Sequence, residues 1–373
     1  AKVLVYSEVI EFIKEQDTIK GVKVLDHHTG IVTDYYAPVT VNAGGIWGHH
    51  IAQMAGANIS MFPAKGALLI FAHRVNSVVI NRCRKPANAD ILVPGDTVCV
   101  IGTTSTRVPY EECDHLKVTP DEVDLLLTEG AKLAPCLAET RVLRAYAGVR
   151  PLVSADNDPS GRNISRGIVC LDHESRDGIK GFISITGGKL MTYRLMGEMA
   201  ADAVCKKLGR DAKCVTADTP LPGSEPGGIE EISKKIWEVP TMVQKASVGR
   251  FGTQAAKLDF DGDVKGSLVC ECEEVSVSEV DSAIENLEVN NLVDLRRRTR
   301  FGMGTCQGEL CACRAAGRLA KARKCTSKAR ADLKDFMNER WKGMYPVAWG
   351  ETLRESAYTQ WVYSEVMGLG EEI

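Results

Sequence analysis

Nothing in these 373 residues approaches a run of about 18 uninterrupted apolar residues, so no membrane-crossing helix is expected. A basic start followed by a short apolar core, the mark of a secretory signal, is also missing, and the expected location is cytoplasmic. Neither sign of charge dominates. The 46 Lys and Arg face 49 Asp and Glu, a net of -3, which gives no general pull toward nucleic acid or anionic lipid. Any membrane contact is then expected through a partner or a local patch. Internal repeats and low-complexity tracts are absent, which excludes solenoids and arrays. Two nucleotide signatures fail as well. A Walker loop ending at Lys189 would need glycine at Ile183 and Ser or Thr at Leu190, and Gly302-Met303-Gly304 has its third glycine misplaced and no strand leading in.

Cysteine, by contrast, is plentiful. Thirteen are many for a cytosolic chain, and their uneven spacing points to cofactor ligation by some rather than a disulfide framework. At 44% hydrophobic and 25% charged residues, the chain can bury a large core in two or three domains. It opens as AKVLVYSEVIEFI, in mid-strand and without Met, which suggests a piece whose first part is missing.

The stretch 182–194, FISITGGKLMTYR, reads as a buried strand turning sharply into a helix. Gly187 and Gly188 remove side chains where a ligand could approach, and the positive helix end with Lys189 suits a negatively charged group. Flavin is one candidate, since its reduced ring carries negative charge at one edge. The alternative is a plain corner with a solvated lysine. A second such corner is Asn42-Ala43-Gly44-Gly45-Ile46-Trp47, leading into a helix over 48–57. Strand-like runs are expected over 2–6, 21–25, 38–41, 67–71, 91–93 and 97–101, with a helix over 120–133, giving an α+β arrangement with two sheets. Met191, Leu195, Met199 and Ala203 recur at four-residue spacing and read as a core face against a sheet. Arginines recur at 141, 144, 150, 162 and 166, and singly each is most simply a solvated or paired side chain. Arg150, between Gly148 and Pro151 at the end of an apolar run, is placed to meet a phosphate or carboxylate with a rigid fork.

The composition shifts to Pro, Gly, Ser and acids over 216–229, a boundary-type linker, and a short helical region follows over 230–256. Further on, Cys270 and Cys272 stand one residue apart, Cys306 and Cys311 four apart, with Cys313 left over. Two close thiolate pairs can hold zinc or a 2Fe-2S cluster, and the C-x-C with C-x4-C spacing tilts toward iron and sulfur. Between them, Ser276 and Glu279 form a capping box, Val280, Ile284 and Leu287 an apolar stripe, and Leu292 with Leu295 begins a second helix. That helix ends in Arg296, Arg297, Arg298 and Arg300, positive charge that would offset four thiolates. The scattered cysteines 83, 99, 113, 136, 170, 205, 214 and 325 read largely as inert core.

Taken together, VNAGGIWG, MFPAKGALLI, INRCRKPANADILVPGDT, IGTTS, AYAGVRPLVSADNDPSGRNISRGIV, ITGGKLMTYRLM, the cysteine segment and ERWKGMYPVAWGETLRES make the chain resemble, end to end, the catalytic A-type subunits of anaerobic, quinone-linked glycerol-3-phosphate dehydrogenases. The resemblance implies a partial D-amino-acid-oxidase-like FAD and substrate domain over 1–215, a linker and helical region over 216–262, a helical 2Fe-2S module similar to bacterioferritin-associated ferredoxin over 263–325, and a helical tail over 326–373. It implies oxidation of sn-glycerol 3-phosphate to dihydroxyacetone phosphate by FAD. Electrons would leave through the cluster and partner subunits toward menaquinone, with the chain peripheral on the inner face of the cell membrane.

By motif, Arg150 and Arg166 resemble the phosphate-binding arginines, and Lys189 a catalytic group at flavin and substrate, with Thr103 and Thr104 approaching the substrate. Gly187, Gly188, Leu190, Met191 and Thr192 resemble the turn that meets the flavin ring, and Gly44, Gly45 and Trp47 a second flavin corner. The resemblance implies Cys270, Cys272, Cys306 and Cys311 as cluster ligands. Two departures stand out. The family's amino-terminal G-x-G-x-x-G turn for the FAD pyrophosphate is absent here. Single-subunit relatives carry a base histidine after a KGS-type motif, whereas Lys65-Gly66-Ala67 leads here to Leu68, with His73 the nearby alternative. Two rival readings differ in chemistry: an amine or 2-hydroxy-acid oxidoreductase that uses one arginine for a carboxylate, and a non-catalytic electron-transfer fragment.

Overall fold

The computed structural model describes residues 1–153, 167–262 and 264–370. The chain divides into two units, the first made of 1–66, 105–116 and 148–219, the second of 67–104, 117–147 and 220–373.

In the first unit, β1 (Ser7–Glu15), β2 (Thr18–Asp26) and β3 (Val32–Tyr36) form an antiparallel meander in the order β1-β2-β3. The expected strand over 2–6 does not form. The ladder ends at Ser7↔Asp26, and Tyr6 turns the chain with φ +52° while its ring packs on His28 at 4.3 Å, so the apolar run before it has no pairing partner among the described residues. After β4 (Thr40–Asn42) comes α1 (Gly48–Met54), within the stretch expected to be helical. Phe12, Ile19, Ala52, Ile59 and Phe182 are the centre of this unit's core.

Strand β5 (Met61–Phe71) begins in the first unit and ends in the second. In the second unit it pairs antiparallel with a later strand of a sheet containing β6 (Ile80–Asn81), β7 (Ile91–Pro94) and β8 (Cys99–Gly102), the partner being β8, with Leu69 opposite Ile101. Then β9 (Thr106–Arg107) pairs with the start of β5 in the first unit. Helix α2 (Pro120–Leu133) starts on a Thr119–Glu122 capping box, with Pro120 at its first position and Asp121 and Glu122 in its first turn. It buries Val123 and Leu126 against Leu69, Leu92 and Ile101. Strand β10 (Val142–Val153) supplies Val142 and Ala145 to the same core.

The first unit resumes with β11 (Ile168–Asp172), the short α3 (His173–Asp177) and β12 (Phe182–Gly187). Strand β12 runs between β11 and β4, antiparallel to the first and parallel to the second. Helix α4 (Tyr193–Lys207) buries no residue fully. The expected core stripe is wrong in phase: Met191 and Leu195 are exposed, and Met196 instead turns inward, its sulfur reaching Gly188. Of the scattered cysteines only Cys99, which begins β8 in the second unit's core, and Cys113, which packs with Ile46 and Val108, are buried, whereas Cys83, in a bend, and Cys136, in a short 3-10 helix, are exposed.

The linker over 216–229 is irregular, followed by α5 (Ile229–Ile236) and α6 (Met242–Phe251). The cysteine segment contributes β13 (Leu268–Cys270), β14 (Val275–Ser276), α7 (Val277–Asn286), α8 (Leu292–Thr299) and α9 (Ala312–Arg323). The Ser276–Glu279 capping box is present, and Val280, Leu292 and Leu295 are buried in a core with Phe301 and Leu319, although Leu287 is exposed. Glu279 is drawn into the interior because Arg250 meets it with two nitrogens, at 2.7 and 2.8 Å. The tail is α10 (Ser327–Met344) and α11 (Gly350–Trp361). Among the described residues no helix is long and apolar enough to cross a membrane.

Candidate functional site

Strands β4 and β12 are parallel neighbours, with Asn42 opposite Ser184, so the glycine pairs that follow them, 44–45 and 187–188, leave the same end of the sheet. In parallel sheets that carboxyl end is where ligands bind. Gly45 has φ +58° and an added side chain would meet nothing within 4 Å, so its backbone faces open space. Gly188 has φ +67°, and a β-carbon there would sit 2.8 Å from the Thr192 hydroxyl and 2.9 Å from the Met196 sulfur. Thr192 closes the corner by accepting from the Lys189 amide at 3.0 Å and donating to the Lys189 carbonyl at 2.8 Å. Lys189 is exposed, as are Leu190 and Met191, 91% and 80% respectively, an uncommon degree for two adjacent apolar side chains. Trp47 is half-exposed, its indole N–H donating to Asp114 at 3.1 Å.

Beneath these corners runs a buried chain of side chains that sequence reasoning missed. The Asp177 carboxylate accepts from His173 Nδ1 at 2.5 Å, His173 Nε2 accepts from the Ser184 hydroxyl at 2.8 Å, and Ser184 accepts from Asn42 Nδ2 at 3.1 Å. Asn42 then donates to the Gly48 carbonyl at 2.8 Å and accepts from the Gly44 amide at 3.1 Å. Although the composition is that of a hydrolytic triad, Ser184 and His173 are sealed from solvent, and His173 stacks on Phe182 with centroids 4.6 Å apart. The chain fixes the backbone of the first corner. An asparagine ending a strand just before Gly-Gly was the one signal available. Asn42→Ala leaves Gly44, Gly48 and Ser184 short of partners and lowers stability by about 2–3 kcal/mol, read as a fall in Tm, with weakened FAD retention in the full-length protein.

Arg150 lies across Gly66: a β-carbon there would be 2.4 Å from Nη2 and 2.9 Å from Cζ, so only glycine admits the guanidinium. Its Nη1 donates to the Ala64 carbonyl at 3.5 Å. Arg166 lies outside the described residues. In the second unit Thr104 is buried, its hydroxyl accepting from the Ala67 amide at 2.9 Å and donating to Glu122 at 3.2 Å, while Thr103 is half-buried beside it. His73 is exposed beyond the end of β5.

The two cysteine pairs approach each other. The sulfurs of Cys272 and Cys306 are 3.7 Å apart, and Cys311 is electrostatically linked to both Cys270 and Cys306. The proton that Cys311 offers, opposed by burial and aided by the Leu310 and Gly308 amides, brings Cys306 down to about 5. Cys270 falls to about 7 for the same first reason, with the Gly302 and Glu273 amides contributing. Cys311, which supplies the shared proton, is pushed up, and burial raises Cys272. Backbone amides aimed at sulfur are the donor set that thiolate-held clusters use, so the residues fit a 2Fe-2S group. Cys313 points away, toward the Met367 sulfur at 3.6 Å.

Residues 1–194 match the FAD dependent oxidoreductase family, and residues 268–319 match the BFD-like [2Fe-2S] binding domain. The chain is therefore an FAD-dependent oxidoreductase of the D-amino-acid-oxidase-like fold joined to a 2Fe-2S module. It is 58% identical over its full length to the A-type subunit of the anaerobic glycerol-3-phosphate dehydrogenase of Escherichia coli K12, covering 69% of that protein, and 57% identical to the Haemophilus influenzae counterpart, covering 66%. It belongs to the family of A-type subunits of anaerobic glycerol-3-phosphate dehydrogenases. The chain spans about two thirds of the length of these relatives. A glycerol-3-phosphate dehydrogenase from Bacillus halodurans, solved with FAD, shares the fold: TM-score 0.70 at 21% identity, over 91% of this chain and 69% of that one.

Proposed function

We propose that this chain supplies the substrate site and the electron exit of an enzyme that oxidises sn-glycerol 3-phosphate to dihydroxyacetone phosphate. Its electrons pass through the 2Fe-2S cluster and partner subunits to menaquinone, with the chain peripheral on the inner face of the membrane. The observation that carries the reading is the pair of glycine corners leaving the same end of β4 and β12, in a chain that matches the A-type subunits along its whole length.

Gly44, Gly45, Gly187 and Gly188 let backbone approach the flavin, while Trp47, Leu190 and Met191 present apolar surface that excludes water from it, and Thr192 holds the turn. Bound FAD supplies the hydride acceptor for carbon 2 of the alcohol. Arg150 and Arg166 grip the phosphate dianion with planar forks, which orients the carbon, and Thr103 and Thr104 lie on the approach to the substrate. Lys189 places positive charge where the reaction builds negative charge. Cys270, Cys272, Cys306 and Cys311 hold the cluster.

The test uses the full-length, FAD-loaded protein under anaerobic conditions. Glycerol 3-phosphate bleaches the bound flavin, whereas sarcosine and 2-hydroxy acids do not. Bleaching by only an amine or a hydroxy acid would overturn the assignment in favour of a carboxylate substrate.

A further inference from the structure

Three arginines from three separate elements gather near the cysteine segment: Arg340 and Arg144 are buried and Arg296 is half-buried, with Arg296 and Arg340 beside the loop that carries Cys306 and Cys311 and Arg144 interacting electrostatically with both of those arginines. Arg296 on α8 donates from Nη2 to Gln307 Oε1 at 3.1 Å. Gln307, itself 1% exposed, donates in turn to the Met303 and Gly304 carbonyls at 3.1 and 2.8 Å, so the arginine bears directly on the turn between the two cysteines. Arg340 on α10 is 4% exposed and stands 3.5 Å from Glu309 and 3.6 Å from Glu355, too far for good hydrogen bonds, and its Nε and Nη2 have no hydrogen-bond partner among the described residues. Arg144 on β10 is 5% exposed. Its Nη2 donates to the Glu339 carbonyl and carboxylate at 3.2 and 3.3 Å, while Nη1 has no hydrogen-bond partner among the described residues. Gly343 makes room for it: a β-carbon there would lie 2.4 Å from Nε.

Enclosing a guanidinium with donors unfilled is costly, and apolar side chains of similar volume would stabilise the same packing better. Such an arrangement makes physical sense if a larger negative charge lies nearby. A four-thiolate 2Fe-2S core is doubly negative when oxidised and triply negative after one electron is added. Arg296 interacts electrostatically with Cys311, and Arg340 with Cys306. The facing carboxylates Glu309, Glu339 and Glu355 offset part of this positive charge, and Arg141, bonded to Thr352 at 3.1 Å and to Glu355, restores it.

We infer that Arg144, Arg296 and Arg340 are positioning residues for the electron-transfer step: their charges stabilise the reduced cluster and so raise its reduction potential. Two of the three come from β10 and the tail helix rather than from the cysteine segment, so the tail acts as an electrostatic part of the cluster site. The inference rests on the assignment of Cys270, Cys272, Cys306 and Cys311 as ligands.

The experiment is an EPR-monitored redox titration of the full-length holoprotein, with iron, sulfide and Tm measured on every variant. Arg340→Met lowers the potential on the order of tenfold in the reduction equilibrium, equivalent to 59 mV for one electron. Glu355→Gln, which breaks the same network but removes a negative charge, moves the potential the other way. Should Arg340→Met fail to load a cluster, Arg144→Met reads the same downward shift. A merely structural network would lower Tm in all these variants and leave the potential where it was, and that result, with iron and sulfide retained, overturns the inference. Wild-type protein without iron and sulfide would instead defeat the ligand assignment.

Discussion

Arg150→Ala in the full-length, FAD-loaded protein lowers kcat/KM for glycerol 3-phosphate by roughly 10²- to 10³-fold, with flavin content unchanged. That is about 3–4 kcal/mol, the scale of removing a charged fork from a bound dianion. Arg150→Lys recovers only part of it, because a point charge cannot make two parallel contacts. Gly66→Ala reproduces the loss in milder form without touching any charge, since its β-carbon would occupy the place of the guanidinium, 2.4 Å from Nη2. Steady-state kinetics with glycerol 3-phosphate check all three. A full-strength Arg150→Ala enzyme would remove this residue from the substrate site.

The second large effect is on electron exit. Cys311→Ser replaces the sulfur that is electrostatically linked to both Cys270 and Cys306, and the hydroxyl is a far poorer ligand for iron. Iron and labile sulfide fall well below the two of each expected for a 2Fe-2S centre. Substrate still bleaches the flavin, but reduction of a quinone acceptor drops at least about tenfold, because the relay is broken while the hydride step is not. Parallel assays of flavin bleaching and quinone reduction separate the two steps. Equal loss in both would mean that the module supports the flavin site itself. Cys313→Ser, at a thiol facing Met367, leaves iron content and both rates unchanged.

Features governed by local rules were legible in the residues. The Thr119–Glu122 and Ser276–Glu279 boxes announce their helices, the Gly-Gly corners announce sharp turns, and the C-x-C and C-x4-C pairs do meet. What escaped depends on partners distant in sequence. Residues 2–6 are apolar enough for a strand, but a strand needs a neighbour, and the ladder with β2 stops at Ser7. The α4 stripe has helical spacing at more than one phase, and only the position of Gly188 selects Met196 over Leu195. Asn42, which reaches Ser184, has only the Gly-Gly that closely follows it to mark it, and Arg144, which reaches Glu339, has no local pattern to betray it. Arginine in a strand reads as solvated until the helix that covers it is known.

The most direct test of the account is a single anaerobic mixing of full-length holoprotein with glycerol 3-phosphate, frozen at intervals and followed by flavin absorbance and cluster EPR together. The account predicts that flavin bleaching comes first and that the signal of a reduced 2Fe-2S centre then grows at its expense. A bleached flavin beside a cluster that stays oxidised, or a cluster reduced with no dependence on glycerol 3-phosphate, would contradict it.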